Sequence, residues 1–519
     1  MSKIKILWAD DEIDLLKPQI MYLESKGYHI TPVTNGLDAI DKVAEEDFDV
    51  VFLDESMPGL TGLETLPKIK DLKKFLPIVM ITKNEEEDLM EEAIGSQITD
   101  YLIKPVKSQQ ILLTLKKIVD SKELVKEKTQ SNYQKEFQKL FMRMQDRLDF
   151  DEWSELYKTL IKWELELEQT NTTEMGEIFA MQKQEANAAF SKYVANNYID
   201  WMKDKEGKNS PLFSHQLFKT KVFDLLKQDK PTYFVLIDNL RFDQWKVLEP
   251  IIRESFKIVQ EDMFYSILPT ATQYARNAIF SGLTPLEISE HYPNYWKNDD
   301  DEGGKNLYEE QLLGELLRRN FRDEVKYSYT KVTNFAKGKD MENNILNNMH
   351  NKLNVIVYNF VDMLSHAKTE MEVLKEMANN DAAFRSLTVS WFEHSPLHNA
   401  LKKIAEKDVN LVITTDHGMT MVKNPSKCVG DKATSTNIRY KAGKSLSYEA
   451  KDVLAITKPK EANLPQSNVS TSYIFAKEDK YLVYQNNYNR FATYFKDTFQ
   501  HGGISLEEII IPYVHLESK

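Results

Sequence analysis

The segment NLVITTDHG, residues 410–418, joins a buried-strand pattern to a pair of polar side chains. Its Leu, Val and Ile residues lack the alternation of a half-exposed strand, which is typical of strands covered on both faces of a parallel sheet. The run stops at Asp416 and His417, before Gly418. A capped turn explains this ending, because Asp accepts hydrogen bonds from loop amides and Gly tolerates positive φ. A metal site explains it equally well, and the segment alone leaves both explanations open.

Similar apolar runs recur along the second half of the chain and predict a large α/β domain over residues 212–519. Two polar insertions, residues 291–306 and 423–437, are predicted to be long loops. Long loops on such a scaffold often carry function. The other predicted strands of this domain cover residues 232–239, 354–362, 480–485 and 508–514.

The first 120 residues alternate short apolar strands with helical stretches, which predicts a doubly wound parallel sheet with helices on both faces. In residues 121–211, aromatic and aliphatic side chains recur at helical spacing from Phe137 to Trp201, and predict a helical bundle or linker with an apolar core. We therefore expect an α/β protein in three parts, residues 1–120, 121–211 and 212–519. The strands expected in the first part cover residues 4–10, 49–54, 77–82 and 101–105.

Composition excludes several classes of protein. The chain has 519 residues and a net charge of −13 without a block of Lys and Arg, so binding to duplex DNA is not expected. Its single cysteine, Cys428, excludes an intrachain disulfide and a thiolate metal cluster, and favours the reducing cytoplasm. No apolar run is long enough to span a bilayer and the first residues lack a secretory-signal pattern, so no membrane segment is expected.

Polar side chains end the predicted strands of the first part. Because the carboxyl ends of parallel strands line one crevice, we expect these side chains to converge there. Three carboxylates suit Mg²⁺, which prefers oxygen ligands. A lysine would offset the charge of a phosphoryl group on Asp54, and a threonine hydroxyl would contact its oxygens. The residues concerned are Asp10, Asp11, Asp54, Thr82 and Lys104.

This order, together with the segment DESMPGLTG that begins at Asp54, resembles the receiver domain of two-component response regulators over residues 3–120. The resemblance implies that Asp54 is phosphorylated by a sensor histidine kinase and that phosphorylation favours a homodimer. It assigns Mg²⁺ to Asp10, Asp11 and Asp54, and the phosphorylation-dependent switch to Thr82, Tyr101 and Lys104.

The second predicted sheet has polar strand ends of its own. Asp and His occur there without Cys, a donor set typical of catalytic Zn²⁺ or Mn²⁺ sites with open positions. Six such side chains would divide as three per ion, and a nearby hydroxyl, Thr270 or Thr272, would serve as a nucleophile. The six side chains are Asp238, Asp362, His366, Asp416, His417 and His501.

The order of these residues resembles the alkaline-phosphatase superfamily, specifically its nucleotide-pyrophosphatase/phosphodiesterase branch and the related PglZ domains, over residues 212–519. The resemblance implies two Zn²⁺ ions and makes Thr272 the nucleophile. The segment QYARN follows Thr272 where that branch usually has Phe-Pro-Asn, so the group that stabilises the transition state has three candidates. The implied assignment places one zinc on Asp362, His366 and His501 and the other on Asp238, Thr272, Asp416 and His417, with Asn239, Arg276 and Asn277 as candidate stabilisers.

The three-part order resembles response regulators of the type IX secretion system of Bacteroidetes. This resemblance implies a membrane sensor kinase of the PorY type as phosphodonor, with possible contacts to a secretion motor or a sigma factor. The leading hypothesis is a phosphodiesterase output acting on nucleotide or oligonucleotide diesters. The alternatives are a catalytically silent interaction module and a metal-dependent phosphomonoesterase. His215 and His515 receive no role, and Glu507 and Glu508 are expected on a solvated face.

Overall fold

The computed structural model describes residues 4–73, 76–83, 98–169, 173–204, 207–299, 301–431 and 434–519. The chain divides into two compact units, Met1–Asn132 and Tyr133–Lys519. Within the described residues, no helix combines the length and the apolar character needed to cross a bilayer.

A five-stranded parallel sheet organises the first unit. Its strands are β1 (Lys5–Ala9), β2 (His29–Val33), β3 (Val50–Asp54), β4 (Ile78–Thr82) and β5 (Asp100–Ile103), in the order β2-β1-β3-β4-β5. The helices described in this unit are α1 (Lys17–Ser25), α2 (Gly36–Glu45) and α3 (Gly62–Leu72). The predicted doubly wound parallel sheet is confirmed.

Alternate residues of these strands pack on opposite faces of the sheet. Trp8 and Phe52 belong to one hydrophobic cluster, whereas Leu7 and Leu53 belong to another. Strand β2 has no counterpart among the predicted strands, because its sequence HITPV contains a proline and no apolar run. Proline is tolerated there because β2 lies at the edge of the sheet.

Helix α3 begins beside the end of β3. The hydroxyl of Thr61 accepts a hydrogen bond from the Glu64 amide at 3.2 Å, and the Glu64 carboxylate accepts one from the Thr61 amide at 2.9 Å. This capping box fixes the first turn of the helix. A Cβ atom on Gly62 would lie 2.4 Å from the carbonyl oxygen of Asp54, so only glycine allows the helix to start this close to the strand.

The middle of the chain is helical, as its aromatic spacing predicts. It contains α4 (Ser108–Gln145), α5 (Phe150–Gln169) and α6 (Thr173–Lys203). Trp153 of α5 packs edge-on against Phe190 of α6, with ring centroids 5.4 Å apart. The stripe on α5 is buried and forms core, as expected, at Trp153, Leu156, Leu160, Trp163 and Leu167.

A six-stranded sheet forms the centre of the second unit. Its strands are β6 (Thr232–Ile237), β7 (Phe256–Tyr265), β8 (Tyr327–Val332), β9 (Leu353–Tyr358), β10 (Asn410–Thr414) and β19 (Ile510–Ser518), in the order β7-β19-β10-β6-β9-β8. Strands β10, β6, β9 and β8 are parallel, and β19 is antiparallel to both of its neighbours. All five residues of β10 are buried, which agrees with the unbroken apolar run in its sequence.

The strand predicted at 480–485 is confirmed as β17 (Lys480–Tyr484), which pairs in parallel with β12 (Asn424–Val429) in a separate three-stranded sheet. Two other predictions for this unit are wrong. Strand β12 lies inside the predicted loop 423–437. The final run is antiparallel rather than parallel. Strands β7 and β8 were not predicted. They lie at the two edges of the main sheet, many of their residues are partly exposed, and their sequences lack the apolar run by which buried strands are recognised.

The remaining elements complete the second unit. Its further strands are β11 (Thr420–Val422), β13 (Tyr440–Gly443), β14 (Ser447–Tyr448), β15 (Val453–Ile456), β16 (Ser472–Ala476) and β18 (Thr498–Gln500). Its further helices are α7 (Phe223–Leu226), α8 (Phe242–Ile252), α9 (Thr272–Ser281), α10 (Pro285–His291), α11 (Glu309–Asn320), α12 (Phe335–Asn344), α13 (Phe360–Glu370), α14 (Glu372–Met377), α15 (Asp381–Glu393), α16 (Pro396–Ala405), α17 (Tyr488–Phe495) and α18 (Leu506–Ile509).

Candidate metal centres and active site

Three adjacent parallel strands of the main sheet end beside the expected metal ligands. Asp238 follows β6 directly, and Asp416 follows the end of β10. Asp362 lies in the first turn of α13, which comes directly after β9. Because β10, β6 and β9 are parallel neighbours, their carboxyl ends meet at one edge of the sheet. The topology therefore brings together residues that are far apart in sequence.

The first of two ligand groups is fully buried. Asp238, Asp416 and His417 each offer an atom within 4.8 Å of the others. Nε2 of His417 lies 3.9 Å from a carboxylate oxygen of Asp238 and 3.9 Å from one of Asp416. Burial raises the pKa of both carboxyl groups, against the opposing effect of the Arg276 guanidinium. Additional positive charge at this position would therefore favour their ionised forms.

One atom of this group indicates that a cation fits. Oδ1 of Asp416 accepts hydrogen bonds from the backbone amides of Asn239 at 3.3 Å and His417 at 3.1 Å. Oδ2 of Asp416 is buried and has no hydrogen-bond partner among the described residues, and Nε of Arg276 lies 3.7 Å from it, beyond hydrogen-bonding distance. A buried carboxylate oxygen without a hydrogen bond would be stabilised by a bound cation, so this oxygen has the environment of a metal ligand.

The second ligand group is more open. Asp362, His366 and His501 also offer atoms within 4.8 Å of one another. Nε2 of His366 and Nε2 of His501 each lie 3.6 Å from Oδ1 of Asp362. The side chain of His366 is 61% exposed, whereas that of His501 is 13% exposed. A metal at this group would be accessible from solvent on the side of His366.

Two histidines link the groups. The rings of His417 and His501 stack with their centroids 4.3 Å apart. Nδ1 of His417 lies 3.1 Å from the carbonyl oxygen of Gly418, and Nδ1 of His501 lies 3.2 Å from that of Thr270. Burial lowers the pKa of His417, and burial with His417 nearby lowers that of His501 to about 3, which favours the neutral form of each ring. If each Nδ1 carries the proton, each Nε2 presents a lone pair to the carboxylates, the arrangement in metal-binding histidines.

The hydroxyl of Thr272 lies against the buried group, at the first residue of α9. Its Oγ1 is 3.1 Å from Nε2 of His417 and 3.5 Å from Oδ1 of Asp238. Thr270 differs, because its Oγ1 donates to the carbonyl oxygen of Gly503 at 2.9 Å and accepts from the amide of Gly502 at 3.0 Å. The two hydroxyls therefore have separate environments: that of Thr272 adjoins the ligand groups, and that of Thr270 fixes the loop after His501.

Arg276 orients Asp238. Its Nη1 lies 2.9 Å from Oδ2 of Asp238, and its Nε lies 2.6 Å from Oε1 of Glu309. Glu309 in turn binds Lys331 at 2.7 Å. Burial alone would raise the pKa of Glu309, but Arg276 and Lys331 hold it below its ordinary value. No sequence motif indicates Glu309, because it begins α11 well after the segment that contains Thr272 and Arg276, and it becomes a neighbour of Arg276 only in the fold.

The two asparagines among the candidate stabilisers also have partners. Nδ2 of Asn277 contacts the carbonyl oxygen of Lys305 at 3.4 Å, and its Oδ1 accepts from Asn306 at 3.3 Å. Nδ2 of Asn239 lies 3.2 Å from Oδ1 of Asp362. Asn239 has a φ of 66°, a left-handed conformation that asparagine adopts more readily than most residues. It turns the chain directly after Asp238 and places its amide between the two ligand groups.

The first unit contains a third ligand group, formed by Asp10, Asp11 and Asp54. Nζ of Lys104 lies 2.9 Å from Oδ1 of Asp54 and 3.0 Å from Oδ2 of Asp10. Burial raises the pKa of Asp54 to about 6, although Lys104 opposes this effect. The hydroxyl of Thr82 donates to the carboxylate of Glu55.

Tyr101 of β5 has a side chain that is 39% exposed, so it lies at the surface of the first unit. The hydrogen bond between Glu55 and Thr82 was not indicated by any sequence motif. It joins the residue after Asp54 to the residue that the resemblance places in the switch.

The expectation of a solvated face at Glu507 and Glu508 is wrong, because both side chains are buried. Glu508 forms a bidentate pair with Arg439, with distances of 3.1 and 2.6 Å. It also accepts the backbone amide of Gly503 at 2.9 Å. In a sequence, two consecutive acidic residues usually indicate an exposed position. Here each has a cationic partner from a distant element, Arg439 for Glu508 and Lys183 for Glu507.

Three protein-family models match successive parts of the chain. Residues 217–516, more than half of the chain, match the BREX system PglZ alkaline phosphatase-like domain. The chain belongs to the PglZ family. Ahead of the PglZ domain, residues 123–202 match the PorX response regulator linker domain and residues 6–116 match the response regulator receiver domain. The three matches confirm a PorX-like architecture.

Curated relatives match over the length of a receiver domain. The transcriptional regulatory protein ResD of Bacillus subtilis is 35% identical over 118 residues, which are 23% of this chain and 49% of ResD. ZraR of Klebsiella oxytoca is 36% identical over 114 residues, 22% of this chain and 26% of ZraR. The chain thus spans about half or less of the length of these relatives. Among solved structures, chemotaxis protein CheY4 of Vibrio cholerae shares 29% identity over 22% of this chain and 98% of CheY4, with a TM-score of 0.22.

The chain thus combines a response regulator receiver domain with a PglZ alkaline phosphatase-like domain. Alkaline-phosphatase-like domains bind metals and receiver domains bind Mg²⁺. The ligand groups described above are of the corresponding chemical types, carboxylates with histidines in the PglZ domain and carboxylates alone in the receiver.

Proposed function

We propose that this chain is a response regulator whose PglZ domain hydrolyses phosphodiesters with the help of two zinc ions. The observation that carries the proposal is the position of the Thr272 hydroxyl, 3.1 Å from Nε2 of His417. His417 stacks on His501, so this single hydroxyl adjoins two neighbouring groups of metal-type donors. An exposed edge at His366 leaves a route for substrate.

In this proposal, each donor group holds one zinc ion. Asp362, His366 and His501 hold the first, and Asp238, Asp416 and His417 hold the second, with Thr272 beside it. Oxygen and nitrogen donors without Cys favour a catalytic site with an open position over a closed structural one. Bound zinc would supply positive charge near the attacking oxygen of Thr272 and the leaving oxygen of the phosphodiester.

The residues of the chain perform the remaining tasks. Oγ1 of Thr272 gives up its proton and forms a bond to phosphorus while the bond from phosphorus to the leaving oxygen breaks, and that oxygen takes up a proton and departs as an alcohol. Water then hydrolyses the ester between Thr272 and phosphorus, which releases a phosphomonoester and restores the hydroxyl. Arg276 holds Oδ2 of Asp238, so the other oxygen of this carboxylate keeps its orientation toward Thr272. The backbone carbonyl oxygens of Gly418 and Thr270 hold the rings of His417 and His501 in place.

The proposed substrates are nucleotide or short oligonucleotide diesters. The family resemblance to phosphodiesterases supports a diester. The net charge of −13, without a run of basic residues, argues against a long groove for duplex DNA and favours short or cyclic single strands. Arg276, Asn277 and Asn239 remain the candidate stabilisers of the transition state, although each already has a partner in the fold.

The receiver supplies the proposed control. A sensor histidine kinase, of the PorY type by resemblance, would phosphorylate Asp54 with Mg²⁺ held by Asp10, Asp11 and Asp54. Lys104 would then contact the phosphoryl group, and Thr82 and Tyr101 would respond as the switch. The proposal further includes homodimer formation, regulation of type IX secretion, and contact with a secretion motor or sigma factor. A cytoplasmic location belongs to it as well, because ATP supplies the phosphoryl group there.

A second candidate is an interaction module that turns over no substrate. It is favoured by one observation: Asn277 is buried, one of its N–H groups donates to Lys305, and its Oδ1 accepts from Asn306, so this amide is already engaged within the fold. A simple assay distinguishes the phosphodiesterase from the interaction module. The zinc-loaded protein is incubated with bis(p-nitrophenyl) phosphate and, separately, with p-nitrophenyl phosphate.

Faster hydrolysis of the diester supports the phosphodiesterase. Faster hydrolysis of the monoester would assign a phosphomonoesterase instead. Binding of zinc without hydrolysis of either ester would favour the interaction module.

A further inference from the structure

Helix α6 presents three polar side chains to one segment of the PglZ domain. Lys183, Asn187 and Ser191 are spaced by about one helical turn and therefore share a face of the helix. They contact the segment Ile504–Glu507, which follows the candidate ligand His501. The contacts join residues within the linker match to residues within the PglZ match.

Each of the three side chains makes a defined bond. Oγ of Ser191 donates to the carbonyl oxygen of Ile504 at 3.1 Å. Oδ1 of Asn187 accepts the backbone amide of Leu506 at 2.8 Å, and its Nδ2 donates to Oε2 of Glu507 at 3.1 Å. Nζ of Lys183 lies 3.2 Å from Oε1 of Glu507. Asn187 thus holds both the backbone and a side chain of the segment.

Burial makes these contacts specific. Ser191 has no exposed surface and Glu507 is 5% exposed. Burial lowers the pKa of Lys183, but Glu164 and Glu507 raise it by more, so the pKa lies above its ordinary value and the ammonium group stays charged. A buried polar group without a partner destabilises the folded state. A shift of the segment away from α6 would leave these groups without partners, so the contacts hold the segment in one position.

The same segment adjoins both ligand groups. The amide of Gly503 donates to the Glu508 side chain at 2.9 Å, which fixes the loop after His501. The amide of Gly418, next to His417, donates to the backbone carbonyl of Glu508 at 3.2 Å. A Cβ atom on Gly418 would lie 1.9 Å from the carbonyl oxygen of Glu507, so the two backbones are in direct contact. A shift of this segment would displace both histidines.

We propose that α6 positions the metal centre of the PglZ domain, with Asn187 as the principal positioning residue. This inference rests on the proposed zinc site and adds to it a dependence on the linker. Asn187 does not touch a metal ligand. It sets the position of the segment that follows His501 and contacts the turn after His417.

The test compares full-length Asn187→Ala with the matched control Asn196→Ala. Asn196 lies on the same helix and is exposed, and its side chain makes no hydrogen bond within the described part of the chain. Zinc affinity is measured by competition with a chelator, well below the unfolding temperature of each variant. We expect Asn187→Ala to weaken at least one of two zinc sites by about 10-fold, the lower end of the effect of removing residues outside the ligand shell. The control should bind zinc like the wild type.

Hydrogen exchange of the zinc-free protein gives a second readout. The amides of Gly503 and Leu506 should exchange faster in Asn187→Ala than in Asn196→Ala, because their loop and segment lose an anchor. A companion pair tests the ion pair: Lys183→Met should weaken zinc binding, and Lys183→Arg should restore most of it because it keeps the charge.

The outcomes separate this inference from the proposed function. If the wild type binds two zinc ions and both asparagine variants match it, the positioning role is wrong and the zinc site stands. If the wild type binds no zinc, the proposed function fails and the inference fails with it. A lower melting temperature for Asn187→Ala with unchanged zinc affinity and unchanged exchange would reduce Asn187 to a purely structural role, which also overturns the inference.

Discussion

Oγ1 of Thr272 lies 3.1 Å from Nε2 of His417, although the two residues are 145 positions apart in sequence. The contact forms because Thr272 begins α9 while His417 follows the end of β10, and both lie at one edge of the main sheet. Thr270 is a natural comparison, because its hydroxyl has nearly the same sequence context and different partners.

Replacing Thr272 by Val should abolish hydrolysis of phosphodiesters while zinc remains bound, because Val removes the hydroxyl with little change of volume. We expect a loss of at least about 100-fold in kcat, by comparison with the removal of other active-site groups. The measurement is single-turnover hydrolysis of bis(p-nitrophenyl) phosphate together with zinc content. Thr270→Val should retain turnover, with a lower thermal stability because the loop after His501 loses two hydrogen bonds. Full activity in Thr272→Val would remove this residue as the nucleophile.

Metal removal should destabilise the PglZ domain. A ligand present at 100 times its dissociation constant stabilises the folded state by about 2.7 kcal/mol, so a strong chelator should lower the melting temperature of zinc-loaded protein. His417→Ala should remove one zinc and all activity, because it leaves the buried ligand group with two carboxylates and no nitrogen donor. His366→Ala should weaken only the open site, since this side chain is 61% exposed.

His350→Ala is the matched control, because His350 is exposed and belongs to neither ligand group. Metal analysis and calorimetry provide the measurements. Metal-free protein with full activity would contradict the proposed role of zinc.

Glu309→Gln should lower activity by about 10- to 100-fold, the range observed when groups that orient ligands are removed. Gln keeps the shape of Glu309 but loses the charge that holds Arg276. Arg276 would then compete with the bound zinc ion for the carboxylates of Asp238 and Asp416, which lie 2.9 and 3.7 Å from it. The neighbouring exposed residue provides the control, Glu310→Gln, which should behave like the wild type. Steady-state kinetics and zinc affinity are measured on both variants, and equal values for the two would exclude an orienting role for Glu309.

Beryllofluoride with Mg²⁺ should bind at Asp54 as a phosphoryl mimic and shift the full-length protein toward a dimer. Lys104, 2.9 Å from Asp54, should then move its contact from the carboxylate to the added group. Sedimentation velocity measures the shift. Asp54→Ala should abolish it, whereas Asp71→Ala, at an exposed position of α3, should preserve it. If the protein remains a monomer under saturating beryllofluoride, phosphorylation of Asp54 does not control dimer formation.

The sequence predicts the parallel sheets well, because a strand covered on both faces must be apolar along its whole length. Strands β3 and β10 are of this kind and were recognised. Strands β2, β7 and β8 lie at sheet edges, where one side of the backbone has no neighbouring strand and polar residues are tolerated, so their sequences resemble loops.

The candidate ligands could be located from sequence because they follow such apolar strands. Their supporting residues could not. Glu309, Asn187 and Arg439 act through partners far away in sequence, and only the fold brings these pairs together. Glu508 illustrates the limit: an acidic pair in sequence suggests a surface, but a buried arginine makes its burial possible.

Strand β19 lies between β10 and β7, although it is formed by residues 510–518. During translation, β10 and β7 are made long before the strand that joins them, and His501 is added shortly before that strand. The nascent chain therefore gains the strand that joins β10 to β7 and the last residue of the more open ligand group at nearly the same moment. A chain that stops before residue 501 lacks both, so it would contain only the buried group of candidate ligands in the PglZ domain, Asp238, Asp416 and His417.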